Sequence, residues 1–302
     1  MNIEKAIELY NTLSTIDLLY LAYKKKTKKD IDLCAIINAK SGKCKENCIF
    51  CSQSIYHNTS IPIYKLKSKD EILEYALKYD GIVNRFSIVV SGKKVNDEEF
   101  NKIVETIELL KDETSLKICC SLGLIDKEKL RILKDLDVRI HNNLETNKDY
   151  FKNICTTHSY MDKVRVIKDA KSLNLEVCSG GIIGLGESYL DRIKLAFELK
   201  DLGVDSVPIN ILHPIKGTKA YDLLKRGVIK PLSVNEILKT IAIFKLILKD
   251  CEIRLAGGRL FLGDYQSYAL LALDGLMVGD YLTTKGRNLK DDLKMIKDWE
   301  LL

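Results

Sequence analysis

Hydrophobic residues along this chain follow two alternating rhythms. Short runs rich in β-branched residues recur at Leu33–Asn38, Arg85–Ser91, Leu116–Ser121, Asp137–Asn142, Glu176–Gly181, Ser206–Ile211, Glu252–Leu255 and Leu276–Val278. Between them lie stretches with apolar residues three and four apart, the spacing that lines one face of a helix. In Asp97–Lys111 those positions are Phe100, Ile103, Val104, Ile107 and Leu110, and Glu187–Leu202 and Ser233–Leu248 read the same way. Ser68 with Glu71, and Ser233 with Glu236, have the spacing of a capping box. Strands joined by crossover helices make a parallel sheet. Eight of them are what a (β/α)8 barrel of the TIM type needs to close. The expected fold class is therefore α/β, one barrel domain, with a doubly wound open sheet as the alternative. Residues 1–32 read as an N-terminal helical segment packing on the barrel, and 33–302 as the barrel with a C-terminal extension.

A barrel gathers its ligands at the C-terminal ends of its strands. The informative residues do converge there. Cys44, Cys48 and Cys51 follow the first strand, Cys119 and Cys120 lie on the third, and His141–Glu145 ends the fourth. Cys178 ends the fifth, Asn210 ends the sixth and Arg254 lies on the seventh.

Composition narrows the setting. Nine cysteines are an odd number, and no secretory leader opens the chain. No apolar run approaches the roughly 20 residues of a membrane span. Free thiols in a reducing compartment serve metals, so the expectation is a cytoplasmic protein with no membrane partner. The net charge of +6 is modest, with 48 basic residues against 42 acidic ones. The basic run Lys24-Lys25-Lys26-Thr27-Lys28-Lys29 lacks interleaved aromatics and reads as a solvated linker, not a nucleic-acid site.

The triplet has the spacing C-x3-C-x2-C, with no fourth cysteine nearby. A [4Fe–4S] cluster normally takes four cysteines, so three leave one iron open to a ligand that is not protein. A structural zinc site completed by His57 is the competing reading, and a disulfide framework is a weaker one.

With Phe50 before its third cysteine, the triplet resembles the cluster motif of the radical S-adenosylmethionine (SAM) superfamily. Within it the chain resembles the biotin synthases. The resemblance runs from about Ile37 to Gly286, through Cys48–Ser54, Arg85-Phe86-Ser87, His141–Thr146, Ile154–Thr157, Val177–Glu187, Ser206–Asn210, Ile253–Arg259 and Leu282-Thr283-Thr284. It implies a radical reaction in which dethiobiotin gains one sulfur between two unactivated carbons. Such C–H bonds lie beyond acid–base side chains, and a cofactor must supply the radical. SAM chelating the open iron of the cluster at Cys44, Cys48 and Cys51 would be split by one electron. A flavodoxin or ferredoxin is the implied electron donor, and a homodimer the implied assembly.

The resemblance also distributes roles. Glu145 would accept the ribose hydroxyls of SAM, and Asn143 would bridge cofactor and substrate. Gly180, Gly181, Gly184 and Gly186 would let the backbone approach adenine, with Ile182 or Ile183 as an apolar wall and Phe50 beside the cofactor. Lys163 would meet the methionine carboxylate where relatives commonly place arginine. Helix capping by Asn143 and Glu145, and a plain glycine-rich turn, remain the alternatives. Arg85 and Asn210 would contact the substrate carboxylate and ureido ring.

Biotin synthases hold a second cluster that donates sulfur, typically [2Fe–2S] on three cysteines and an arginine. Cys119, Cys178 and Arg254 match three of those positions, but Ser87 stands at the fourth, and a hydroxyl is a poor iron ligand. The reading favoured here is a larger, four-iron auxiliary cluster on Cys119, Cys155 and Cys178, with [2Fe–2S] retaining Ser87 as the alternative. Arg254 could equally only balance charge. Cys120 should face away from Cys119 because strand neighbours alternate. Cys34 and Cys251 read as buried apolar residues, and His57, His158 and His213 receive no role. The competing functions are another radical SAM barrel enzyme, such as a hydrogenase maturase, and a non-catalytic iron–sulfur carrier.

Overall fold

The structure, a computed structural model, describes residues 1–26 and 29–301. Thr27 and Lys28 of the basic run, and Leu302 at the end of the barrel span, lie outside the described residues.

Among the described residues nine parallel strands form the sheet: β1 (Asp32–Lys40), β2 (Arg85–Val90), β3 (Lys117–Ser121), β4 (Arg139–His141), β5 (Val177–Cys178), β6 (Gly181–Ile183), β7 (Ser206–Ile211), β8 (Glu252–Leu255) and β9 (Gly275–Met277). Their order is β5-β4-β3-β2-β1-β9-β8-β7-β6, and β5 also pairs with β7. That pairing closes the barrel and excludes the open sheet. β5 and β6 are two pieces of one strand, because Cys178 faces Ser206 and Gly181 faces Ile209 in unbroken register. Eight strand positions result. The break falls at Gly180, where a Cβ would lie 2.0 Å from the Pro208 carbonyl oxygen. Only glycine lets the two strands come so close.

The helices sit where the apolar periodicity places them, at Asp97–Glu113, Tyr189–Asp201 and Val234–Ile247 among others. Both capping boxes form. Along β1 burial alternates strictly. Leu33, Ala35, Ile37 and Ala39 are buried against the helices, while Cys34 and Ile36 line the central cavity. The strands thus spend their most apolar face outward and leave the lumen for chemistry.

Two N-terminal helices, Ile3–Thr12 and Thr15–Tyr23, pack on Tyr189–Asp201 and Val234–Ile247. Tyr10 stacks on Tyr189 with ring centres 4.9 Å apart, and Lys239 donates to the carbonyls of Tyr10 and Leu13 at 2.9 and 2.8 Å. At the other end, Arg259 is fully buried and grips the fully buried Asp292 of helix Leu289–Asp298 with both guanidinium nitrogens. This ties the C-terminal helix to the barrel beside Tyr281, Leu282, Thr283 and Thr284, which line the cavity mouth.

No helix among the described residues is long and apolar enough to cross a membrane.

Candidate active site

The barrel encloses a cavity of about 330 Å³. Its floor is ionic. Arg85, Arg139, Asp32 and Glu252 are the first residues of β2, β4, β1 and β8, and Glu176 immediately precedes β5. Arg139 binds Glu176 at 2.8 Å and Glu252 at 2.9 Å. Arg254 meets Glu252 at 3.0 Å, Asp32, and the Ser206 hydroxyl at 3.1 Å. Burial pushes the Glu252 carboxyl up, but Arg254 and Arg139 outweigh it and hold Glu252 down to about 2. Arg85 donates to Glu176 at 3.1 Å and to the Ile118 carbonyl at 3.3 Å. It lines the cavity from the N-terminal end of the barrel, where both of these bonds are made.

Just above that floor, Cys34, Cys119 and Cys178 line the same cavity with Ser87. Burial pushes all three thiols up, Cys119 to about 12. Cys178 adds to the rise at both Cys34 and Cys119, and all three thiols line the one cavity. Arg254 opposes the rise at Cys34 and Cys178, and Arg139 does so at Cys119 and Cys178. Ser87 lines the cavity beside Cys119 and also opposes the rise of its thiol. Cys120, next along β3, is buried in the outer core as the alternation requires.

Two expectations change here. Cys155 does not line this cavity and so does not join Cys119 and Cys178. It lies instead at the cysteine loop, where its sulfur, that of Cys48 and a ring nitrogen of His158 all fall within 4.8 Å of one another. Cys34, read from sequence as a core residue, takes the place beside Cys119 and Cys178. The signal that could have found it is its strand register. Cys34 pairs with Arg85 and Ile36 with Ser87, so Cys34 is on the adjacent strand one pleat below Ser87, the position lacking a thiol.

The cysteine loop caps the opposite end. Cys44 donates its backbone N–H to the Gln53 carbonyl at 2.9 Å, and Ile55 returns one to Cys44 at 2.8 Å. Ile49 bonds Ile154 and accepts from Ala220, both at 2.9 Å. His57 directs Nδ1 at the Cys51 carbonyl, 2.8 Å away, which fixes the loop and takes that nitrogen from any metal. Ser52 and Thr283 share a hydrogen bond of 2.9 Å across the mouth. Burial pushes Cys44 up and Cys51 to about 11. The two sulfurs of Cys48 and Cys155 lie within 4.8 Å of each other, and this closeness pushes Cys48 up and holds Cys155 down to about 3, against its burial. Metal binding needs thiolates, so loading the triplet must release protons.

Between the two thiol sets lie the residues expected to hold SAM. Phe50, Cys51, Asn143, Glu145, Ile182 and Asn210 all line the cavity. Glu145 takes a left-handed backbone, φ 71°, after β4. Its Oε2 is buried without a partner, and its Oε1 lies 4.0 Å from Lys163. An orphaned buried carboxylate oxygen fits a ligand that brings hydroxyl donors. Burial pushes the Glu145 carboxyl up, opposed by Lys163. Asn143 accepts from the Gly180 N–H at 3.0 Å. Asn210 donates to the Gly181 carbonyl at 3.2 Å and accepts from Gly257 at 2.9 Å. His141, which carried no role in the sequence reading, also lines the cavity, and burial holds it down to about 4, hence neutral. The four glycines do not line it. Gly180 and Gly181 admit the backbones of Pro208 and Glu145, and Gly184 and Gly186 border a separate surface pocket beside Tyr189.

Family profiles match two stretches: the Radical SAM superfamily over residues 39–199, and the Biotin and Thiamin Synthesis associated domain over 208–302. A biotin synthase of Methanocaldococcus jannaschii is 62% identical, with 100% of this chain and 95% of that protein aligned. One of Methanococcus aeolicus is 59% identical over 93% of this chain and 88% of that protein. The crystal structure of methylornithine synthase superposes with a TM-score of 0.82 at 19% identity, covering 99% of this chain and 93% of that one, which shows a shared fold alone. The relatives and the second profile favour biotin synthase over a hydrogenase maturase or an electron carrier. The chain belongs to the biotin synthase family within the radical SAM superfamily.

Proposed function

We propose that this protein inserts sulfur into dethiobiotin to give biotin, with a sulfur-donating cluster held by Cys34, Cys119 and Cys178. Family membership brings a [4Fe–4S] cluster and SAM, which together supply a 5′-deoxyadenosyl radical. Cys44, Cys48 and Cys51 would hold that cluster. Glu145, Asn143, Ile182, Phe50 and Lys163 would hold SAM at its ribose, adenine and carboxylate. Asn210 and Asn143 would orient the ureido ring.

The observation that carries the reading is that three thiols share one cavity floor beneath the orphaned Glu145 carboxylate. Soft thiolates on three strands suit an iron–sulfur cluster. Three thiolates on a four-iron cluster leave one iron for an exchangeable sulfide, which favours the four-iron form over [2Fe–2S]. Arg254 has all its nitrogens engaged by Ser206, Asp32 and Glu252. Its part is to balance the negative charge of the cluster from below. Ser87 lies across β2–β3 from Cys119 and lines the same cavity. Neutral His141 and the Ser52–Thr283 bridge shape the space above. A flavodoxin or ferredoxin as electron donor, a homodimer and a cytoplasmic location complete the reading on family resemblance.

The test counts iron and sulfide per chain after anaerobic loading, with Mössbauer spectra. Cys34→Ala is expected to lose the auxiliary signal, keep about four irons at the triplet, cleave SAM and form no biotin. The double change Cys34→Ser with Ser87→Cys should regain auxiliary iron, because it moves a thiol to the neighbouring strand. Cys155→Ala should leave the auxiliary signal intact. An unchanged auxiliary signal in Cys34→Ala overturns the assignment.

A further inference from the structure

The cysteine loop carries an outer face that the proposed reaction does not use. Lys43 and Lys45 flank Cys44 and are exposed. Ile55, which donates to the Cys44 carbonyl at 2.8 Å, and its neighbour Tyr56 are 56% and 60% exposed. Ile63, 58% exposed, packs over Gly42, where an added Cβ would meet its Cγ1 at 2.7 Å. Ser41 and Tyr64 exchange backbone bonds at 3.1 and 3.2 Å, which ties Ile63 to the loop. Large apolar side chains this exposed, gathered on one loop, mark a contact surface. Lysines surround them. The Ser91 hydroxyl donates to the Gly42 carbonyl at 2.8 Å and brings up exposed Lys93 and Lys94. Lys93 reaches the Thr157 carbonyl at 3.1 Å and Glu46 at 3.9 Å. Asn58 bonds Gly217 at 3.2 Å and Ala220 bonds Ile49 at 2.9 Å, which brings up exposed Lys216 and Lys219. Segments 41–64, 91–96 and 212–220 thus hold six lysines against a single acid, the buried Glu46. Asp97 and Glu98, next along the chain, are taken by Lys129 and Lys102 at 2.7 and 2.6 Å. None of these lysines or exposed apolar residues lines the cavity. The Asn47 N–H donates to Thr157 Oγ1 at 3.0 Å and its amide to Thr156 Oγ1 at 2.6 Å, so the loop is braced and its outer face is formed in advance.

We infer that this face docks an acidic ferredoxin, which delivers the electron that starts turnover. The inference rests on the proposed cluster at Cys44, Cys48 and Cys51, all of which the test leaves in place. An apolar centre inside a charged rim is the anatomy of a protein contact. A rim of one sign selects a partner of the other and speeds its encounter. Six lysines around Ile55, Tyr56 and Ile63 therefore fit a partner rich in carboxylates. Of the two carrier classes named above, the ferredoxin shares the cofactor chemistry, and hence the potential range, of the cluster it reduces. In the encounter the ferredoxin is oxidised by one electron and the cluster is reduced by one. Lys43 and Lys45 stand on either side of Cys44 in the chain, so a partner seated on them lies against the loop that holds the iron. The cavity stays free for SAM and dethiobiotin, and electron delivery and substrate entry use different faces.

The test follows binding of a plant-type [2Fe–2S] ferredoxin to the iron-loaded full chain by anaerobic stopped flow. SAM cleavage driven by reduced ferredoxin, or by dithionite, is measured in parallel. Lys45→Glu with Lys94→Glu reverses two rim charges, and Tyr56→Ser removes part of the apolar centre. All three side chains are exposed, so the fold should hold. At an ionic strength of about 0.01 M the double variant is expected to associate about tenfold more slowly than the parent, a difference that collapses at about 1 M. Tyr56→Ser should dissociate faster with little change in association rate. Dithionite should drive SAM cleavage equally in all three chains, because a small reductant needs no docking face. An association rate in the double variant equal to the parent's overturns the inference. So does loss of iron or of dithionite-driven cleavage in that variant, which would place the lysines in the service of the cluster. Binding of flavodoxin but not ferredoxin, or of phosphatidylglycerol vesicles but not ferredoxin, overturns it as well. A parent chain that binds ferredoxin yet does not split SAM with dithionite marks failure of the cluster assignment, a different result from any of these.

Discussion

Glu145→Gln tests the SAM site with almost no change in shape. The carboxylate is buried, its Oε2 has no protein partner, and Lys163 stands 4.0 Å from Oε1. In the proposed complex it accepts both ribose hydroxyls. Hydrogen bonds to a charged group are worth about 1.5–3 kcal/mol each, against about 0.5–1.5 for neutral pairs. Losing the charge should therefore weaken binding by about 2–3 kcal/mol over two bonds, or roughly 30–150-fold in Kd. The fold should not suffer, because the substitution removes a buried charge whose desolvation opposes ionisation. The assay is equilibrium dialysis of SAM against the iron-loaded chain, with thermal unfolding in parallel. The pH dependence supplies a second readout. The ionised form binds, so affinity is present above the folded-state pKa of Glu145 and lost as pH falls through it. Because that pKa is raised, the loss sets in at higher pH than for an ordinary carboxylate, and Glu145→Gln should be flat there. A Kd within about threefold of the parent, below what one lost charged bond would give, refutes the reasoning.

Two further substitutions probe the frame around the site. Asp292→Ala strands the fully buried Arg259 without its partner. It should destabilise the chain by about 3–5 kcal/mol, lowering the melting midpoint by roughly 5–8 °C in circular dichroism, and a loss under about 1 kcal/mol would show the pair to be dispensable. Gly181→Ala places a Cβ 2.4 Å from the Glu145 carbonyl oxygen. That carbonyl accepts from Ile182 at 2.8 Å, so the added methyl should cost about 1–3 kcal/mol and weaken SAM binding together with stability. An unchanged SAM affinity in a destabilised Gly181→Ala chain would separate the two.

What was legible in the sequence was what depends on near neighbours. The strands, the helix faces around Phe100 and Ile107, and the capping boxes at Ser68 and Ser233 all rest on spacings of two to four residues. The triplet was legible for the same reason. Cys34 was not, because in the run Ile31-Asp32-Leu33-Cys34-Ala35-Ile36 a cysteine is indistinguishable from a small apolar residue. Its meaning comes from β1–β2 register, which no single strand states. Cys155 sits in an irregular stretch whose path is set by Asn47, more than 100 residues earlier, so its side of the barrel mouth could not be read locally. The position of Arg85 was readable in part. As the first residue of its strand it belongs to the N-terminal end of a parallel barrel, away from where ligands gather.

The ring of arginines and acids beneath the cysteines has a consequence for upkeep. Arg139 and Arg254 are buried, and their acid partners face water below. These ion pairs close the lower end of the barrel across β1, β4 and β8. On the proposed reading, whatever replenishes a spent sulfur source would come in by the doorway that admits dethiobiotin, past Phe50 and Thr283, which line the cavity. Refuelling and turnover would then exclude each other in time, and a chain that kept its product would stay empty.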